Sequence, residues 1–264
     1  MTKAVLTLNS GNGVSTLRGD NMSWPPVAVC IVTFDRFDEI KRTLQSLKSH
    51  LKYEGQLHWH LSDDGSPRGY IPRIKGLFPD LHFTHTASNR GGWGVNVNKS
   101  MRFLNNTYDY IYLNEDDYVA NQDIDITRGV ALMESVGSVG HVRYDGVQGH
   151  RLTLIQHEAQ THIGKVFYMT VDKKSKGLNV YSNRPHMSRR TWREKLGQYC
   201  EGMRLGATEV IRAHSVRDLD TPDTVVFWNY IPRTFDHIGK SRQGSTLDKG
   251  LPLKPDGKAN RGKK

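Results

Sequence analysis

The chain has 264 residues, of which 36% are hydrophobic and 24% charged, with two cysteines and a formal net charge of +10. A chain this long buries roughly three quarters of its unfolded surface, so it needs no disulfide or metal staple to fold. No apolar run approaches the roughly 20 residues that span a bilayer, and residues 1–20 lack a charged-then-apolar export signal, so the expected setting is the reducing cytoplasm.

Residues 1–23 read as a small N-terminal hairpin, with Ala4–Leu8 and Gly13–Leu17 flanking Asn9-Ser-Gly-Asn12. After Trp24-Pro-Pro26, the apolar run Val27–Phe34 predicts a strand buried on both faces. Ile40, Leu44, Leu47 and Leu51 then recur at helical spacing behind Asp35 and Asp38. A second strand covers Gln56–Leu61 and stops at Ser62-Asp-Asp-Gly-Ser66. The rhythm repeats with a helix at 71–77, a strand at 81–85, a Gly-rich loop Asn89-Arg-Gly-Gly-Trp-Gly94, a helix at 95–104 and a strand at 108–113. Strands and helices alternating in this way make parallel βαβ units, whose ligands bind at the carboxyl ends of the strands. Every polar cluster of this half falls at such an end. The second half is less regular: a helix over 124–136, strands over 161–171 and 178–181 around Lys173–Gly177, a helix over 189–196, helical character at 209–213, and a basic tail from about Ser241.

Three clusters carry candidate chemistry. Glu115-Asp116-Asp117 crowds carboxylates at the rim of the sheet, a donor set suited to Mg2+ or Mn2+ bridging to a diphosphate. An acidic run is otherwise a solvated loop; its position beside other strand-end clusters favours the metal. Asp63-Asp64-Gly65-Ser66 suits a nucleobase or ribose, or else an Asx turn. Asn89–Gly94 offers backbone N–H groups ahead of a helix, yet matches neither the P-loop nor the GxGxxG pattern. His157-Glu158 with His162 lacks zinc-protease spacing. Tryptophan, tyrosine and arginine interleave over 181–199, either to stack a sugar or base or to pack a helix start.

The order Val32-Thr-Phe-Asp-Arg36, Asp63-Asp-Gly-Ser66, Asn89-x-Gly91 with Asn98, then carboxylates after Tyr110-Ile-Tyr-Leu113 resembles the GT-A fold glycosyltransferases of family 2. The resemblance is good over about residues 27–120 and looser through Tyr181–His186, Arg189-Arg190, Lys195–Gly197, Glu201-Gly202, Glu209 and His237–Gly239. It implies a GT-A, Rossmann-like, mostly parallel sheet flanked by helices, with a C-terminal α+β half that binds the acceptor. It implies a nucleotide-sugar donor, with the nucleoside held by Thr33, Phe34, Arg36 and Asp64 or Asp63. Asn89, Gly91 and Asn98 would stand beside the donor, together with Asp116. The acidic cluster corresponds to the family's DxD motif, with Asp117 the direct ligand of Mn2+ or Mg2+ and with Glu115 and His237 in the metal or phosphate shell. Asn114 departs from the usual Asp-x-Asp-Asp, and Val97 stands where many relatives carry an arginine. The implied reaction is a single inverting displacement with Glu209 as base and Glu201 as second choice.

The implied organisation is a donor half at 24–140, an acceptor half at 141–240 and a flexible basic tail at 241–264. Charge is uneven across it. Residues 1–181 are close to neutral, whereas 182–217 hold eight Lys/Arg against three Asp/Glu, and 240–264 hold eight against two. The acceptor is therefore either a glycan or glycoconjugate, or a hydroxylated base in DNA reached through those two stretches. A non-catalytic nucleic-acid-binding protein and a nucleotidyltransferase remain as alternatives.

Overall fold

The computed structural model describes residues 23–88, 90–144, 154–171, 181–203, 205–218, 224–226 and 234–239. The N-terminal hairpin, Asn89, the turn at 173–177 and the basic tail lie outside the described residues.

In chain order the elements are β1 (Val27–Thr33), α1 (Phe37–His50), β2 (Leu51–Lys52), β3 (Leu57–Asp63), α2 (Tyr70–Leu77), β4 (Thr84–Ala87) and α3 (Gly92–Asn105). They continue with β5 (Tyr110–Glu115), β6 (Tyr118–Ala120), β7 (Ile124–Asp125), α4 (Ile126–Ser135), β8 (His141–Arg143), β9 (Leu154–Thr161) and β10 (Gly164–Val171). The last are β11 (His186–Arg189), α5 (Arg190–Leu196), α6 (Leu205–Asp218), β12 (Thr224–Val226) and β13 (Phe235–His237). One sheet joins nine strands in the order β4-β3-β1-β5-β11-β8-β12-β10-β9, running through residue 140 without a break. The first four strands are parallel to one another. β11 runs antiparallel to both β5 and β8.

At β1 the sheet is buried on both faces. Val27, Val29 and Ile31 join Ile40, Leu44 and Leu47 of α1, Ile74 of α2 and Ile126, Val130 and Met133 of α4. Ala28, Cys30 and Val32 pack with Trp93, Val97 and Leu104 of α3, Trp192 of α5 and Ala213 and Val216 of α6. Alternate residues of one strand thus feed two cores, which is why the run is apolar throughout. α1 also carries Asp38 and Glu39 in its first turn and Lys48 and His50 in its last, complementing its dipole.

Some boundaries differ from the sequence expectation. The strand expected at 81–85 forms at Thr84–Ala87, because Pro79–Leu81 close a single 3-10 turn. α3 starts at Gly92 rather than Val95, because the Asp64 carboxylate accepts the Gly92 N–H and anchors the first turn. The helix expected from Ile124 starts two residues later, since Asp125 caps it by accepting the Arg128 N–H at 2.8 Å. The strand expected at 161–171 forms as β10 at Gly164–Val171, and its partner is β9 before it rather than the strand expected at 178–181, of which residues 178–180 lie outside the described residues. Among the described residues, no helix is long and apolar enough to cross a membrane.

Candidate active site

The parallel strands β4, β3, β1 and β5 end along one edge, which brings Thr33, Asp63 and Glu115 together with the turns that follow them. Asp116 is buried there as an acceptor. Its Oδ2 takes the Thr33 hydroxyl at 2.9 Å and the Phe34 N–H at 3.2 Å. Arg36 Nη1 donates to Asp116 Oδ1 at 3.2 Å and to Asp117 Oδ2 at 2.5 Å. Tyr70, at the start of α2, shares a 2.5 Å hydrogen bond with Thr33 Oγ1 and accepts the Arg36 N–H at 3.4 Å. No sequence motif pointed to Tyr70; α2 delivers it from 37 residues away.

The carboxylates are crowded and poorly hydrated. Burial, with Asp117, Asp116 and Glu209 adding repulsion, pushes the Glu115 carboxyl well above its usual range. Burial also raises Asp116 to about 7, although Arg36 opposes the rise. Burial works against the charge of Arg36, and Asp116, Asp117 and Glu115 outweigh it. Among the described residues, Glu115 Oε1 and Asp117 Oδ1 are buried with no hydrogen-bond partner. Asn114 explains its departure from the motif: its Nδ2 donates to the carbonyls of Glu115 at 2.7 Å and Tyr118 at 3.1 Å. An aspartate at that position would have no hydrogen to donate and would leave the turn unbraced.

A strap closes over Asp117. β13 pairs with β6, and the Ile238 N–H bonds the Asp117 carbonyl at 2.8 Å. His237 Nε2 stands 3.1 Å from Asp117 Oδ2, with its ring against Tyr118. Gly239 lies so close that a Cβ there would overlap Asp117 Oδ2 and stand 3.0 Å from its Cγ and 3.2 Å from His237 Nε2. Among the described residues, no three Asp, Glu, His or Cys side chains are arranged to hold an ion by themselves. Asp117 and His237 form a pair, and the orphaned oxygens of Asp117 and Glu115 are hard donors of the kind Mn2+ or Mg2+ takes. These residues fit a cation whose remaining ligands come from phosphate and water.

The other expected donor residues are mostly occupied by the chain itself. Asp63 accepts the Ser66 hydroxyl at 2.5 Å and the Ser66 N–H, with burial raising its carboxyl. Asp64 accepts the Ser88 hydroxyl at 2.6 Å and the Gly92 N–H at 3.1 Å. That N–H is therefore already committed within the Gly-rich loop, and Gly91 is the residue that leads into α3. Val97 is fully buried in the second core. Asn98 is buried as a clamp: it exchanges hydrogen bonds with the Tyr199 backbone and donates to Glu201 Oε1 at 2.9 Å. Gly94 permits this approach, since a Cβ there would overlap the Cys200 carbonyl. Of the two expected bases, Glu201 is exposed and paired with Asn98. Glu209, on α6, accepts the Asn183 N–H at 3.1 Å and acts on the Glu115 carboxyl.

Several arginines and aromatics of 181–212 are engaged by the chain itself. Tyr181, Trp192 and Tyr199 are buried, and Arg212 lies over the Tyr199 ring at 4.3 Å. Arg212 also donates to the carbonyls of Leu196 and Gly197. Arg193 is buried among the carbonyls of Ser188, Tyr108 and Asp109, Arg189 donates to Gly137, and Arg190 to Asn105 and Asp109.

Solved glycosyltransferase structures share this architecture. S. aureus TarS superposes with a TM-score of 0.58 at 14% identity, covering 80% of this chain and 36% of that one. TarS 1-349 in complex with UDP-GlcNAc gives 0.59 at 13%, covering 82% and 61%. The mannosyltransferase PcManGT from Pyrobaculum calidifontis, in complex with GDP-Man and Mn2+, gives 0.52 at 16%, covering 80% and 61%. The chain thus spans less than two thirds of the length of these relatives, and its fold is that of the GT-A glycosyltransferases. No curated protein matches it. The sequence profile of glycosyl transferase family 2 matches residues 28–199, so the chain belongs to that family.

Proposed function

We propose that this enzyme moves a sugar from a nucleoside-diphosphate sugar to a hydroxyl of a glycan or glycoconjugate, using Mn2+ or Mg2+ and inverting the anomeric centre. The observation that carries the reading is the convergence of Glu115, Asp116, Asp117 and Glu209 at the strand ends, where buried oxygens lack partners. Solved proteins of the same fold bind UDP-GlcNAc, or GDP-Man with Mn2+. Asp117, His237 and Glu115 would hold the cation, which when bound neutralises the charge of the leaving diphosphate.

The chain's own residues do the rest. Thr33, Phe34, Arg36, Asp63, Asp64 and Asp116 would shape the nucleoside side, and Gly91 and Asn98 would stand behind the donor. The acceptor oxygen attacks the anomeric carbon from the face opposite the diphosphate. As that bond forms, the bond to the diphosphate oxygen breaks and the nucleoside diphosphate leaves with the electron pair. The acceptor proton passes to the Glu209 carboxylate and then to solvent. Residues 24–140 would serve the donor and 141–240 the acceptor. A glycan is the better acceptor than DNA, because Arg193 and Arg212 of the basic stretch are buried and Arg189 and Arg190 are bonded to backbone carbonyls.

The test is a panel of nucleotide sugars, including UDP-GlcNAc and GDP-mannose, with and without Mn2+. Nucleoside diphosphate release and a raised melting temperature are expected with at least one donor and are lost in Asp117→Ala. If no donor stabilises the protein or is turned over, and Asp117→Ala behaves as wild type, the reading is wrong.

A further inference from the structure

We infer that Asn183 is an acceptor-binding residue, its side-chain amide holding a hydroxyl of the sugar acceptor beside Glu209. The inference rests on the function proposed above and adds a residue to it.

Asn183 is only 4% exposed, yet among the described residues neither its Oδ1 nor its Nδ2 has a hydrogen-bond partner. Buried amides are ordinarily satisfied, because leaving a donor and an acceptor dry and unpaired costs free energy on both counts. Packing alone gives no reason to retain an asparagine here, since a leucine of similar volume would avoid that cost. A ligand supplies one.

The position of Asn183 identifies the ligand. Its backbone N–H donates to Glu209 Oε1 at 3.1 Å. On covalent geometry the amide of the same residue lies within about 7 Å of that carboxylate. The segment leads directly into β11, whose His186 pairs with Leu113, two residues before Glu115. Glu115 Oε1 is itself buried without a partner. The unsatisfied groups of the residue bonded to Glu209 are therefore an amide donor and an amide acceptor. A sugar hydroxyl both donates and accepts, so it matches the amide without requiring a charge. A phosphate, which only accepts, would leave the amide oxygen unpaired and meet the Glu209 carboxylate. The chemistry selects a neutral polyol acceptor.

The Glu209–Asn183 bond also couples binding to reaction. The carboxylate that would take the proton is held by the backbone of the residue whose side chain would hold the acceptor, so the two share a frame.

The experiment compares Asn183→Ala and Asn183→Leu with wild type, using UDP-GlcNAc and GDP-mannose as donors, Mn2+, and p-nitrophenyl glycosides as acceptor probes. We expect the KM for the glycoside to rise about tenfold or more, the yield of one to two buried hydrogen bonds, while the donor KM stays within twofold. We also expect the melting temperature of the free protein to stay level or rise, because an unpaired buried amide is removed. A fall in melting temperature in both variants would mean that Asn183 has a partner within the fold and would overturn the inference. So would glycoside kinetics equal to wild type. Failure of wild type to bind or turn over any donor defeats the proposed function instead, which separates the two outcomes.

Discussion

Gly239 offers the sharpest probe of how the strap is fitted to the site. Replacing it with alanine places a methyl group against Asp117, overlapping Oδ2 and standing 3.0 Å from Cγ and 3.2 Å from His237 Nε2. Ordinary contact between such atoms needs about 3.5 Å, so strap and carboxylate must separate by about 1 Å. Asp117 is nearly buried and braced by Arg36, whereas the His237 side chain is 55% exposed. The strap therefore moves and takes His237 with it. A shift of about 1 Å in a reacting constellation costs on the order of a hundredfold in rate. Stability should change little, by under about 1 kcal/mol or 2–4 °C, because β13 is a three-residue strand at the surface. The assay is nucleoside diphosphate release across a Mn2+ titration, with melting curves alongside. A Gly239→Ala enzyme within threefold of wild type, with the same Mn2+ half-saturation, would refute the close fit of strap to carboxylate.

Two further outcomes are expected. Glu209→Gln should lower turnover by about 10²- to 10⁴-fold while donor-induced stabilisation persists, and Glu201→Gln should cost far less; steady-state kinetics showing the reverse order would move the base to Glu201. Burial lowers the imidazoles of His60 and His186 to about 4 from 6.5, helped at His60 by His85 and Lys75 and at His186 by Arg143, Arg212 and Arg193. Between those values the unfolded chain binds the proton and the folded chain does not, so each histidine contributes stability above pH 6.5 that is lost as pH falls through 4. The loss is at most about 3 kcal/mol per residue. In urea unfolding at pH 7 and pH 4.5, the advantage of wild type over His60→Gln should shrink by an amount of that order; an equal difference at both pH values would contradict it.

The parts of the fold that could be read from sequence are those whose residues report their own burial. β1 is apolar at each position because helices cover both of its faces. α1 shows its inner face through Ile40, Leu44 and Leu47. β11 gave no such signal: it buries His186 and Ser188, and His186 is accommodated by ring contacts with His141 and Tyr181. The start of α3 was hidden because three glycines read as loop, while the Asp64 carboxylate that anchors the helix lies 28 residues earlier. The same division holds at the site. Glu115, Asp116 and Asp117 announce themselves by following an apolar strand. Tyr70, Asn183 and Gly239 matter through approaches made only after folding, by segments 26 to 122 positions from the groups they meet.

The antiparallel seating of β11 has a consequence for how the enzyme can change. Its four residues take their register from β5 on one side and give it to β8 on the other. Asn183, three residues before β11, is thereby indexed to the strand carrying Glu115, independently of the length of chain between β10 and Asn183. Insertions or deletions in that stretch leave the register that sets the spacing between amide and carboxylates unchanged. On the function proposed above, new acceptor preferences are open to this scaffold without rebuilding its chemistry.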